Sequence, residues 1–138
     1  MALPSSTEAR SYYQAAHQRL LDGRFLLEGS RTTAAVYLTG YGVECMLKAL
    51  ILSAVPARRR TNILASFRGS RAHEFEWLLQ QYFGLGGARF PPQIARYFTL
   101  VDSWTTDVRY KPGTINRREA DVFLDAAEKI LTWADGRL

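Results

Sequence analysis

The stretch AAVYLTGYGVECMLKAL, from Ala34 to Leu50, predicts one long apolar helix and decides the fold. A neighbouring face of this helix carries a polar row: Tyr37, Tyr41, Glu44 and Lys48. Charges rarely occur in so apolar a helix, so we expect Glu44 and Lys48 to be paired or to serve a function. Small or apolar residues recur at alternating spacings of three and four, as in a face buried against another helix: Ala35, Leu38, Gly42, Cys45, Ala49 and Leu52.

Two long helices are predicted in the first half of the chain. The first begins near Ser5, which has capping-box spacing with Glu8, and ends at Gly29–Ser30. The second covers about residues 32–55, because Pro56 cannot continue a helix. Helices joined by so short a turn must lie antiparallel.

The remaining segments also have helical patterns. We expect a short helix around residues 63–67, a helix from His73 to Gly84, another over residues 91–103, and a final one over residues 116–136. Residues 104–115 are predicted to form an ordered loop. No stretch alternates over the length of a strand. The predicted fold is all-α: a single domain, residues 1–138, folded as an up-and-down antiparallel bundle of four main helices plus a possible short fifth.

Composition limits the classes of function. The 138 residues include 18 Lys and Arg against 13 Asp and Glu, and the net charge of +5 favours a polyanionic partner such as RNA or an acidic protein surface. An arginine-rich composition alone would give the same balance. A single cysteine excludes an internal disulfide. The N-terminus lacks the apolar core of a signal peptide, and Glu44 and Lys48 interrupt the best membrane-span candidate. We therefore expect a cytoplasmic protein.

Several common sites are missing from the sequence. Two histidines and one cysteine, far apart, do not make a zinc site, and no Glu-x-x-His pair supports a di-iron site. The glycines at residues 84–87 lack the Lys-Ser/Thr ending of a phosphate-binding loop. We expect neither a metal nor another cofactor.

The loop before the last helix holds the best candidates for ligand contact. Arg109, Tyr110 and Lys111 follow Trp104 and precede a helix N-terminus. Basic groups beside aromatic rings could hold a phosphate and stack on a base. The aromatic residues could instead only attach the loop to the bundle. Glu44 and Lys48 could organise this site, with Glu44 orienting Arg109, or form a solvated or interfacial salt bridge.

Two further features are weaker. The basic segment, defined by Arg58, Arg59, Arg60, Arg68 and Arg71, could contact phosphates or be a solvated surface. His73 follows Arg68 after four intervening residues, and His17 lies on the first helix. Histidines in such positions are more often structural than catalytic.

The chain resembles the HEPN family, the helical domains found beside minimal nucleotidyltransferases and in bacterial and archaeal defence systems. An Arg109-Tyr110 pair before a long terminal helix is part of the resemblance. The other matching pieces are Tyr13-x-x-Ala16 with Leu20, Ala35-Val36-Tyr37-Leu38, Gly40-Tyr41-Gly42-Val43-Glu44, Leu47-Lys48-Ala49-Leu50 and His73-x-Phe75-x-x-Leu78-Leu79.

The resemblance implies a helical bundle that usually dimerises through its long helices. Ribonuclease members of the family carry an Arg-x(4–6)-His motif near the last helix, which forms a composite site across the dimer. In this chain, four to six residues after Arg109 would place the histidine of the motif at one of residues 114–116. None of these is histidine, and the longest spacing reaches Asn116. Arg68 and His73 have the spacing but precede the third main helix. Asparagine cannot take a proton from a ribose hydroxyl.

The sequence therefore favours a non-catalytic, homodimeric module that binds a nucleotide, an RNA or a partner nucleotidyltransferase. Its predicted ligand-binding residues are Arg109, Tyr110 and Lys111, with Glu44 and Lys48 organising the site. The alternative is a metal-independent toxin-type endoribonuclease using Arg68 and His73, or Arg109 with a residue of the other subunit. A further alternative is an antitoxin or structural partner without a ligand.

Overall fold

The computed structural model describes residues 3–110 and 112–138, and Lys111 lies outside the described residues. No strand occurs in these two ranges. Three 3₁₀ turns, Ala57–Arg59, Ser70–His73 and Thr106–Tyr110, connect the helices. The helices are α1 (Thr7–Glu28), α2 (Thr32–Ala54), α3 (Arg60–Ser66), α4 (Phe75–Gly84), α5 (Pro92–Val101) and α6 (Arg117–Asp135).

The two long N-terminal helices pack antiparallel, as predicted. Gly23 of α1 faces Thr39 of α2, whereas Gly42 of α2 lies against the backbone of Ala16. A Cβ atom at Gly23 would collide with the Thr39 side chain, so glycine permits the close approach. The predicted apolar face of α2 is buried, except that Leu38 and Cys45 are half-buried.

Helix α6 closes the bundle by packing against both α1 and α2. Arg24 of α1 forms ion pairs with Asp125 and Glu128, and His17, earlier in α1, contacts Asp135 at the end of α6. The two helices therefore run in opposite directions. The inward face of α6 is buried: Ala120, Phe123, Ala127, Ile130, Leu131 and Ala134.

The all-α fold class is confirmed. The number of helices differs from the prediction of four main helices plus a possible short fifth. Six α-helices are present in the described ranges, one for each helical segment predicted from the sequence, so the total of five was one too few. Ser6, not Ser5, caps α1 by accepting a hydrogen bond from the Ala9 amide. His73 ends a 3₁₀ turn, and α4 begins two residues later.

Helix α2 is the core helix of the domain. By length and composition it could span a membrane, with a mean hydropathy of 1.4, so the expectation that Glu44 and Lys48 exclude this was wrong on those criteria. However, 78% of that apolar window is buried inside the domain. Packing of α1, α4 and α6 around α2 accounts for its apolar composition.

Candidate functional site

The polar row of α2 contains a buried ion pair. The Nζ of Lys48 donates a hydrogen bond to Oε2 of Glu44 over 2.8 Å. The two residues are only 5% and 3% exposed, so water contributes little to their solvation. A buried charge that lost its partner would be strongly destabilising. The pair is therefore an interior contact rather than the solvated salt bridge that the spacing also allowed.

A histidine from another segment completes this cluster. The Nδ1 of His73 lies 3.1 Å from Oε1 of Glu44, although the two residues are 29 positions apart in sequence. The His73 side chain remains 43% exposed. A carboxylate that accepts a hydrogen bond from Nδ1–H fixes the tautomer and leaves Nε2 able to accept a proton. Glu44 thus joins α2 to the segment before α4.

The Lys48 ammonium group also contacts two aromatic rings. Its Nζ lies 5.6 Å from the centroid of the Tyr12 ring and 5.4 Å from that of the Phe67 ring. The negative faces of aromatic rings stabilise a desolvated cation. Tyr12 belongs to α1, and Phe67 follows α3, so Lys48 connects three parts of the chain. This arrangement holds the end of the basic segment against the bundle.

The two tyrosines of the row continue it toward the start of α2. Their hydroxyl groups lie 3.4 Å apart, and the Tyr41 ring contacts the His73 ring edge to face. Burial, then hydrogen bonding to Tyr37, raises the pKa of Tyr41 to about 12. Tyr41 is therefore a hydrogen-bonding group, not an acid or base, near neutral pH.

Trp104 attaches the last loop to the row. Its indole Nε1–H donates to the backbone oxygen of Tyr37 over 3.2 Å, and its ring stacks on Phe75. The ring lies directly over Gly40, where any Cβ atom would overlap the indole. Glycine at position 40 is therefore required for this loop to dock on α2.

Arg109 and Tyr110 project from the docked loop into solvent. The Arg109 guanidinium carbon lies 4.7 Å from the centroid of the Tyr110 ring, and Tyr110 is 71% exposed. Hydrogen bonding, chiefly to the Tyr37 hydroxyl, raises the pKa of Arg109. No carboxylate of the described residues forms an ion pair with Arg109. We call these two residues the Arg109–Tyr110 pair.

The end of the loop is attached to the first turn of α2. Thr32 donates a hydrogen bond from its hydroxyl to the Ile115 carbonyl, and the Thr33 hydroxyl accepts one from the Ile115 amide. Gly113 has a φ of 85°, a conformation that favours glycine. Asn116 then caps α6 by accepting from the Arg118 amide. The Arg109–Tyr110 pair thus lies on a loop held at both ends, as a rigid binding site requires.

The predicted site residues divide into two groups. Glu44 contacts both Lys48 and His73, whereas Arg109 lies near Tyr37 at the other end of the row. Within the described ranges, Glu44 forms neither a hydrogen bond nor an ion pair with Arg109. No contact therefore supports the alternative that Glu44 orients Arg109. Arg68 is exposed and forms no ion pair there.

His17 on α1 is half-buried. Its Nε2 lies 3.0 Å from Oδ1 of Asp135, and its ring packs edge to face on Tyr13. Burial, then the charge of Asp135, raises the pKa of Tyr13. This contact connects α1 to the end of α6.

Within the parts of the chain that are described, no three His, Cys, Asp or Glu side chains are grouped as metal ligands.

Sequence reasoning missed the contact between Glu44 and His73. Its only sequence signal was a histidine just before an apolar helix, which does not identify a partner on α2. The docking of Trp104 on Gly40 was missed for a similar reason. The signal was a glycine on the helix face that holds the polar row, which indicates close approach without naming the residue that approaches.

The chain belongs to the HEPN domain family, whose profile matches residues 9–137. Comparison with curated protein sequences gives no match. Comparison with solved structures gives none either. Family membership suggests a role related to nucleotides or RNA.

Proposed function

We propose that this HEPN domain is a non-catalytic module that binds a nucleotide, free or within single-stranded RNA, through the Arg109–Tyr110 pair. One observation carries the proposal: an exposed arginine without an ion pair among the described residues lies against an exposed aromatic ring, on a loop fixed to α2. The guanidinium can bind a phosphate, and the other face of the ring can stack on a base. Lys111 is proposed to add a second cationic contact.

The buried groups support this pair indirectly. Tyr37 lies near Arg109, its hydroxyl group is 3.4 Å from that of Tyr41, and Tyr41 packs on Trp104 and His73. Glu44 and Lys48 are therefore proposed to organise the site from below, without touching the ligand. Their burial leaves them no surface for a phosphate.

Binding is tested with a fluorescently labelled single-stranded RNA of mixed sequence and with ATP, by anisotropy over a range of salt concentrations. We expect Tyr110→Ala to weaken RNA binding about tenfold through loss of stacking. Arg109→Ala should weaken binding and reduce the slope of log affinity against log salt by about 0.7. Arg96→Ala on α5 removes the same charge from an exposed arginine and is the matched control. Equal affinities for Arg109→Ala and Arg96→Ala would contradict the assignment.

A metal-independent endoribonuclease is the second candidate function. It is favoured by His73, whose Nδ1 is oriented by a buried carboxylate while its side chain remains partly exposed. Such a histidine can accept a proton from a ribose 2′-hydroxyl. Arg68 or Arg109 would then stabilise the phosphate charge.

The test of the endoribonuclease function is incubation of RNA with a high concentration of protein in EDTA. Cleavage that His73→Ala abolishes would support this function, and intact RNA would exclude it.

We also propose that the domain forms a homodimer and pairs with a nucleotidyltransferase. Light scattering at micromolar concentration tests the first proposal, and a monomeric mass would contradict it. Co-purification with a nucleotidyltransferase encoded beside this gene tests the second. If the protein is an antitoxin or a structural partner without a ligand, neither RNA nor ATP will bind.

A further inference from the structure

A groove of about 970 Å³ lies between α4, α5 and the 3₁₀ turn that ends at Tyr110. Its floor is apolar and aromatic. Phe98 and Trp104 are buried there, Leu79 is half-buried, and Phe83 is 40% exposed. A volume of this size accepts several side chains of a partner at once. The Arg109–Tyr110 pair does not line it.

The rim of this groove is acidic although the whole chain carries a net charge of +5. Glu74, Glu76, Asp102 and Asp107 line it, and no Lys or Arg of the described residues does so. None of the four carboxylates forms an ion pair within residues 3–110 and 112–138. All four are exposed. We call this feature the acidic groove.

We propose that the acidic groove binds a basic amphipathic segment of a partner protein, with apolar side chains on its floor and arginine or lysine at its rim. Charge complementarity carries the choice of occupant, because four carboxylates repel RNA and attract cationic side chains. The apolar floor selects a protein segment over a simple polycation, since a polyamine could not cover Leu79 and Phe83. This site is independent of the nucleotide-binding function proposed above.

The probe is a labelled helical peptide with leucine on one face and arginine on the other, and its binding is measured by anisotropy at low salt. The groove variant carries Glu74→Gln, Glu76→Gln and Asp102→Asn. We expect it to bind the peptide roughly tenfold more weakly, since each exposed ion pair contributes a fraction of the binding free energy. The matched control carries Glu8→Gln, Glu28→Gln and Glu119→Gln, which change the net charge equally outside the groove, and should bind as the wild type does.

Two further measurements separate the floor from the rim. Phe83→Ser should weaken binding of the peptide, and Arg109→Ala should leave it unchanged. Circular dichroism melting curves establish that each variant folds. The proposal is overturned if the wild type does not bind the peptide, or if the groove variant and the charge-matched control bind it equally. Displacement of the peptide by spermine would assign the groove to small polycations instead. Self-association of the wild type that the groove variant abolishes would assign it to a second copy of this chain.

Discussion

The buried ion pair of α2 and the exposed Arg109–Tyr110 pair use charge in opposite ways. Lys48 is 5% exposed, and it contacts a carboxylate and two aromatic rings. Arg109 is exposed and lies against a ring that is itself exposed. Both cations contact aromatic rings, yet only Arg109 has surface left for a ligand. The comparison indicates that Lys48 holds the fold together and that Arg109 is available for recognition.

The two regions are connected through one row of side chains. His73 and Tyr41 follow Glu44 along the row, then Tyr37 and finally Arg109. A change in the buried region can therefore alter the exposed one, whereas loss of the exposed Arg109 side chain should leave the buried ion pair in place. The following predictions test how the two regions differ.

The largest effect is expected for Lys48→Met. It leaves the Glu44 carboxylate buried with only His73 as a partner, and it should lower the free energy of unfolding by about 3–5 kcal/mol. Urea unfolding measures the change. Arg109→Ala is the comparison and should leave the free energy of unfolding unchanged. A Lys48→Met protein as stable as wild type would mean that Glu44 is solvated or protonated in the folded state.

A smaller effect is expected for Gly40→Ala, because the added methyl group overlaps the Trp104 indole. Displacing this ring should cost about 1–3 kcal/mol of stability and move the loop that carries Arg109. RNA affinity should therefore fall together with stability. The control is Gly84→Ala, at the end of α4, where an added Cβ meets nothing within 4 Å. Unchanged stability and RNA binding in Gly40→Ala would exclude Trp104 as the attachment of the loop.

His73→Gln tests the link between the two regions and should reduce stability by a still smaller amount. Its half-exposed side chain gives up one contact with Glu44, so stability should fall by about 1 kcal/mol. Thermal and urea unfolding measure this loss. A loss as large as that of Lys48→Met would show that His73, rather than Lys48, compensates the buried carboxylate.

The Cys45 thiol is expected to report on the buried region without changing stability near neutral pH. Burial, followed by the charge of Glu44, raises the pKa of Cys45 to about 11. Because the folded state keeps this proton while the unfolded thiol loses it near its usual value of about 9, stability falls only as the pH rises between these values. Alkylation by iodoacetamide at pH 8.5 should be slow in the native protein and fast in urea. Equal rates would contradict burial.

The sequence alone predicts the helices, but it does not predict the contacts between distant segments. Helical periodicity predicted α2 and α6 within a few residues, because it depends on neighbours three and four positions away. It placed Glu44 and Lys48 one turn apart. It could not show that His73 closes the cluster or that Trp104 covers Gly40. Those contacts depend on how loops return to the bundle, which local patterns do not determine.

The cap of α1 shows a second limit of local patterns. Ser5 and Ser6 are both good capping residues, and Ser5 has the better spacing to Glu8. The structure uses Ser6, whose side chain is buried against the helix start. The spacing of the motif therefore did not identify which of the two adjacent serines caps the helix.

The most direct test of the account is a double-mutant cycle on Glu44 and Lys48, measured by urea unfolding. The variants are Glu44→Gln, Lys48→Met and the two together. If the charges compensate each other in the interior, the double variant should be more stable than Lys48→Met alone, with a coupling free energy of about 2 kcal/mol or more. Strictly additive losses would contradict the account, because they would mean that the two side chains do not depend on each other inside the bundle.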